Sequence, residues 1–202
     1  MKHIIMTRFS VHQKEWKERP TEEWLAERWE LFAATAASVE KQTVPYEWWL
    51  ICHHSTPPEY LYSLRQNGRV IVVDNDWLPI VQKLMPEGLK ITTRLDSDDI
   101  IAPNYLETVQ EVARESKVPG FICAERGYQK EEENYFLHEE ENGPFLSYVE
   151  KGKLTVYCRA HGNVLKREQV THFKRRLYIQ VIHNNNMRNK LHGSNRQVPS
   201  WV

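Results

Sequence analysis

Apolar positions change period several times along the chain, and each change predicts an element. His3 to Phe9 is short and rich in β-branched residues, with Thr7 and Arg8 as its polar exit, which predicts a buried first strand. Leu25, Trp29, Phe32, Ala36 and Val39 then recur at spacings of four and three, placing one apolar stripe on a helix from Thr21 to Glu40. Thr21 after Pro20, followed by Glu23, supplies the helix start. Tyr46 to Cys52 and Arg69 to Val73 read as two more strands. The first is ended by His53, His54, Ser55 and two prolines, the second by Asp74, Asn75 and Asp76. Leu89 to Leu95 predicts a fourth strand running directly into Asp96, Ser97, Asp98 and Asp99. A helix then begins near Pro103 with Ala102, Leu106, Val109 and Ala113 as its buried stripe. Phe121 to Ala124 reads as another strand. Lys130 to Glu141 is acidic enough to predict a mobile surface loop, placed to cover a site.

Strand, helix, strand, short helix, strand, strand, helix is the order of an α/β fold with a central, mostly parallel sheet flanked by helices. Ligands of such sheets gather at the carboxyl ends of the strands. One crevice lined by Thr7, Arg8, His53, Asp74, Asp76, Arg94 and Asp96 is therefore expected.

Composition narrows the partners. The 202 residues suit a single domain, 1–202, and 27 basic residues balance 27 acidic ones, so no general excess of positive charge recommends nucleic acid or an anionic membrane. Cys52, Cys123 and Cys158 are widely spaced and lack metal or redox spacing, which predicts reduced thiols. The apolar run Ile4 to Met6 is far too short for a signal peptide or a membrane span, so a cytoplasmic protein is expected.

Three carboxylates in four residues repel one another, and a fold keeps them cheaply only when water, donors or a cation offset the charge. Mg²⁺ or Mn²⁺ does so with one or two protein carboxylates plus phosphate oxygens and water, the arrangement nucleotide diphosphates favour. The plain alternative is that Asp98 and Asp99 cap the following helix. An EF-hand fits Asp96, Asp98 and Glu107 but fails at Ile100 and Ile101, where an oxygen ligand and a glycine are required.

Ile91-Thr-Thr-Arg-Leu-Asp-Ser-Asp-Asp99 resembles the T-R-L-D-x-D-D signature of a rhamnosyltransferase family, a bacterial and phage-associated branch of GT-A-like glycosyltransferases. Thr7-Arg8-Phe9-Ser10 is similar to its T-R-F-N opening. Arg28 to Phe32 with Gln42-Thr43 is similar to its R-x-x-L-F and Q-T elements, and Val181-Ile-His183 with Asn186 to its V-I-H-x-x-N. The resemblance implies a GT-A fold, a nucleotide-diphospho-sugar donor, a carbohydrate or glycan acceptor, and a divalent cation bridging D-x-D carboxylates to the donor diphosphate. It leaves the sugar open. Family 2 glycosyltransferases carry an acidic D-D-G-S turn where this chain reads Cys52-His53-His54-Ser55-Thr56, and the E-D pair that supplies their base is absent.

Candidate roles follow from residue type and position. Asp98 is the first choice for metal ligand, with Asp96 acting through water or on donor hydroxyls, Asp99 doing either or capping a helix, and His183 bringing a neutral imidazole unless it is a core histidine. Arg8 and Arg94, each alternatively a surface ion pair, would bind phosphate, with Thr7 beside them. Asp74 and Asp76 would hydrogen-bond ribose or base, or simply shape a loop. Trp77 either stacks on a ligand ring or packs beneath its loop. The base stays open among Glu125, Glu150, Glu168 and His161. A nucleotidyltransferase would carry a glycine-rich phosphate loop, whereas Phe9 to Glu15 has no glycine; a non-catalytic binder of carbohydrate or nucleotide sugar is the other alternative.

Overall fold

The computed structural model describes residues 1–11, 21–141, 143–159, 169–183, 191 and 195–202. Its first half alternates strands and helices: β1 (Lys2–Arg8), α1 (Glu22–Glu40), β2 (Glu47–His53), α2 (Pro58–Leu64), β3 (Arg69–Val73), α3 (Trp77–Leu84), β4 (Lys90–Arg94), β5 (Ile100–Ile101) and α4 (Tyr105–Glu115). The second half is mostly strands: β6 (Gly120–Ala124), β7 (Arg126–Glu131), β8 (Asn134–Glu139), β9 (Leu146–Glu150), β10 (Val170–Phe173) and β11 (Tyr178–Ile182), with a 3-10 turn at Val156–Cys158.

Among the described residues, seven strands form one sheet in the order β10-β6-β9-β4-β1-β2-β3, parallel except for β9. Because β9 runs against both neighbours, β6 and β10 keep the direction of β4. Their carboxyl ends therefore share an edge with those of β1 to β4. The inner strands β6, β9, β4, β1 and β2 are buried on both faces, whereas the edge strands β3 and β10 are partly exposed. One face packs Leu25, Phe32 and Val39 of α1 and Leu106 and Val109 of α4, and the other packs Val81 of α3 with Val156.

Local sequence accounts for α1. The Trp24 backbone N–H donates to the Thr21 hydroxyl at 3.2 Å, and Glu22 and Glu23 meet the positive end of the helix. Phe32 then stacks on Trp48 at 5.3 Å and meets Phe9 edge-on at 5.4 Å, so an aromatic cluster fastens the helix to the sheet. Trp48 and Trp49 are core residues.

A second sheet, in the order β5-β11-β7-β8, grows from the turn after β4. It corrects the expected loop over Lys130 to Glu141, because β7 and β8 form a hairpin that turns at Glu132 with φ 52°. The acidic residues are tolerable there because cations meet them. Glu139 pairs with Arg176 at 2.8 Å and Arg126 at 3.1 Å, and Lys130 lies over the Tyr135 ring. A second correction concerns Trp77, which opens α3 rather than lying in a turn.

Where β11 runs parallel beside β7, the Tyr178 ring covers Gly127, and it is itself stacked on Phe145 at 3.8 Å. A Cβ on Gly127 would land on that pinned ring. Gly127→Ala is accordingly expected to destabilise the fold by about 1–3 kcal/mol, the usual cost of overpacking, read as a lower urea midpoint at unchanged slope. No helix among the described residues is long and apolar enough to cross a membrane.

Candidate functional site

Strand alternation decides what reaches the carboxyl edge. Thr7 and Arg8 are neighbours and so point to opposite faces. Thr7 is fully buried on the α1 side, where its hydroxyl accepts the Trp48 indole N–H at 2.9 Å, so it lines no crevice. Arg8 and Arg94 emerge on the other face, and both guanidinium groups lie over the Tyr157 ring, at 5.1 and 5.9 Å. The Tyr157 hydroxyl donates to the Met6 carbonyl at 3.2 Å, which fixes the ring beneath them. Trp77 packs edge-on against Tyr157 at 5.1 Å, the packing alternative for that residue.

Past Arg94 the chain turns back, and the Asp96 carboxylate grips the guanidinium of its own strand with Nε–Oδ1 at 3.2 Å and Nη2–Oδ2 at 2.6 Å. Arg8 Nη2 stands 3.9 Å from Asp96 Oδ1. Burial alone would raise the Asp96 pKa, but Arg94 and then Arg8 outweigh it and hold the carboxyl well below the usual carboxylate range. Arg8 Nε is buried without a hydrogen-bond partner among the described residues, so this guanidinium has donor capacity left for an anion.

Asp98 lies at a different junction. Its Oδ2 is 2.8 Å from Arg28 Nη1 of α1 and 2.9 Å from His183 Nε2 just beyond β11, and its side chain is 7% exposed. Asp99 turns inward, and its Oδ1 accepts the Val181 backbone N–H at 3.0 Å. Burial first, then the charges of Asp98 and Asp96, push the Asp99 carboxyl well above the ordinary range. Neither Asp98 nor Asp99 caps a helix, because β5 intervenes and α4 has Asn104 at its N-cap.

A divalent cation can be tested against this geometry. Octahedral Mg²⁺ or Mn²⁺ with bonds of about 2.1 Å sets adjacent ligand atoms roughly 3.0 Å apart. The separation of Asp98 Oδ2 and His183 Nε2 matches that edge. Asp96 is engaged by Arg94 and Asp99 by Val181, and no group of three or more His, Cys, Asp or Glu side chains suited to a metal occurs among the described residues. The pair thus fits a hard cation only if phosphate oxygens and water complete the shell.

The remaining expected residues scatter. Asp74 pairs with His54 at 2.7 Å in an exposed position, and Asp76 is exposed at the start of α3, where it makes no capping hydrogen bond. His53 is buried, hydrogen-bonded to Ser55 at 2.7 Å. Glu125, at the exit of β6, reaches His172 of β10 at 2.9 Å. Glu150 lies at the opposite edge, register partner of Lys90 at the start of β4 and ion-paired to it at 2.6 Å, which removes it from the acid–base candidates. Glu168, His161 and Asn186 lie outside the described residues.

Arg28 and Tyr157 were not among the expected site residues. Arg28 had a signal: it falls between Leu25 and Phe32 on the buried stripe of α1, where a cation is costly unless paired. Tyr157 had none, since only the tertiary fold sets its short turn beneath Arg8 and Arg94.

No protein family and no curated protein matches the chain by sequence. Solved structures do resemble it. TarS residues 1–349 of S. aureus superpose with a TM-score of 0.53 at 12% identity over 90% of this chain, which spans 60% of the TarS chain. A Bacillus anthracis protein described as a glucose-1-phosphate thymidylyltransferase, crystallised with sucrose, overlays 88% of each chain at 10% identity with a TM-score of 0.39, too loose to argue from. The sheet order and the TarS overlay together show a mixed α/β fold with a central, mostly parallel sheet flanked by helices, the fold that TarS shares.

Proposed function

We propose that this chain is a glycosyltransferase that moves a sugar from a nucleotide-diphosphate donor to a carbohydrate acceptor, with Mg²⁺ or Mn²⁺ at the Asp98–His183 pair. The observation that carries the reading is the meeting of Asp98, His183 and Arg28 close to the Arg8–Asp96–Arg94 cluster, where the chain leaves the carboxyl end of β4. The resemblance of Ile91 to Asp99 to a rhamnosyltransferase signature makes rhamnose the first sugar to test. The absence of glycine after β1 counts against nucleotidyl transfer. A cytoplasmic setting is part of this reading, in keeping with the wide spacing of Cys52, Cys123 and Cys158.

In this reading Arg8 and Arg94 bind the diphosphate, where paired N–H groups match phosphate oxygens and Tyr157 keeps both guanidinium planes in place. Asp96 holds Arg94 in that pose. The acceptor oxygen attacks the anomeric carbon while its bond to the diphosphate oxygen breaks. The nucleoside diphosphate departs with the electron pair. A divalent cation would neutralise charge building on that leaving group. Of the candidate bases we assign Glu125, at the exit of β6 and 2.9 Å from His172, to take the acceptor proton.

Calorimetry with Mn²⁺ and UDP-, dTDP- and GDP-sugars, followed by donor hydrolysis and transfer assays, tests the function. One donor should bind in a Mn²⁺-dependent manner and turn over. Binding without turnover would favour a non-catalytic sugar-nucleotide binder, and no binding of any donor would sink the reading. Glu125→Gln is expected to slow transfer by about 10²–10⁴-fold with donor affinity unchanged. An unaltered rate would remove Glu125 as the base.

A further inference from the structure

Arg28 occupies a position that packing alone does not explain. It lies on the core-facing stripe of α1, its guanidinium rests on the Trp24 ring at 4.8 Å, and its side chain is only 14% exposed. Its Nη1 approaches the very oxygen of Asp98 that faces His183 Nε2, at 2.8 and 2.9 Å. A cation arriving at Asp98 Oδ2 and His183 must displace the guanidinium or sit beside it. Like charges so close, in a site with little water, repel strongly. A displaced guanidinium needs another anion, and the planar fork of arginine suits phosphate oxygens.

We propose that Arg28 is a ligand for the donor diphosphate that stands in for the divalent cation on Asp98 while donor is absent, so that cation and diphosphate bind as a coupled pair. The inference rests on the donor-site reading above. It adds a consequence that reading does not contain: the cation alone is held weakly, and the diphosphate strengthens it by freeing the carboxylate from Arg28. Coupling of this kind is reciprocal, so the cation strengthens diphosphate binding by the same factor.

The test is calorimetry of Mn²⁺ binding with and without UDP, dTDP and GDP in turn, corrected for Mn²⁺–nucleotide complexes in solution. In the unaltered protein, one saturating nucleotide should tighten Mn²⁺ by roughly 10–100-fold. In Arg28→Gln, Mn²⁺ alone should bind about ten times more tightly, the nucleotide more weakly, and the coupling should fall to a few-fold at most. Arg28→Lys keeps a cation beside Asp98 and should keep most of the coupling, which separates lost charge from a disturbed helix. Unchanged Mn²⁺ affinity and coupling in Arg28→Gln, with Mn²⁺ binding still lost in Asp98→Asn, overturn the role of Arg28 alone. Loss of Mn²⁺ binding in both Arg28 variants also overturns it. Absence of Mn²⁺ binding to the unaltered protein under every condition overturns the cation-site reading itself, and this inference with it.

Discussion

Asp98→Asn is expected to cut sugar transfer by about 10²–10³-fold, or roughly 2.7–4 kcal/mol of transition-state stabilisation, and to abolish Mn²⁺ binding. Asparagine preserves the shape of the side chain and one carbonyl oxygen, but it removes the charge that Arg28 and His183 share at 2.8 and 2.9 Å. Asp99→Asn provides the contrast. Its amide oxygen can still accept the Val181 N–H that Asp99 Oδ1 accepts at 3.0 Å, so cation affinity should stay close to the unaltered value. Mn²⁺ titrations of the two variants, alongside initial transfer rates, separate ligand from latch. A protein carrying Asp98→Asn that keeps full metal dependence would refute the assignment.

The largest effect on stability is expected far from the site. Lys90 and Glu150 are 1% and 6% exposed, 2.6 Å apart, and Lys90 also donates to the Gly152 carbonyl. Lys90→Met alone would strand the Glu150 carboxylate in the interior, at a cost of about 3–5 kcal/mol. Removing both charges, in Lys90→Met with Glu150→Leu, should restore most of that loss, because a well-packed apolar pair avoids the desolvation cost that the ion pair carries. Urea denaturation of the single and double variants closes the cycle. Near-equal midpoints for Lys90→Met and the unaltered protein would contradict the buried-pair argument. Transfer activity in the folded double variant would also confirm that Glu150 plays no part in proton transfer.

The sequence foretold the framework where one period dominated. Arg69–Val73 was read to the residue, and α1 to within one, because each presents a single uninterrupted pattern. Trp77–Leu84 escaped as a helix because it is short, contains Pro79 and follows a D-N-D turn that reads as loop. The β7–β8 hairpin escaped because its acidic composition reads as a solvated loop, and the cations that meet Glu139 come from Arg126 on the facing strand and from Arg176, distant in sequence. Within the site, Arg8, Arg94 and Asp96 were legible from strand exits. Thr7 was misplaced, although alternation beside Arg8 already sends it to the other face. Asp98 and His183 are 85 positions apart, so no spacing rule joins them; the acidic run marked the first, and the resemblance favoured the second. Arg28 was marked in the sequence only as a cation on an apolar stripe, and its partner Asp98 emerges only in the tertiary structure, which brings α1 against the turn after β4.

Asp98 extends from the large sheet, whereas His183 is delivered by the small one, through the pairing of Tyr178 with Ile101 and Ile179 with Ile100. The register of β11 therefore decides where the imidazole falls. A one-residue slip of that strand against β5 and β7 would reverse which side each of its side chains occupies and swing His183 away from its carboxylate. Substitutions that loosen the pairing at Ile100 and Ile101 would thus be felt at an ion pair they do not touch.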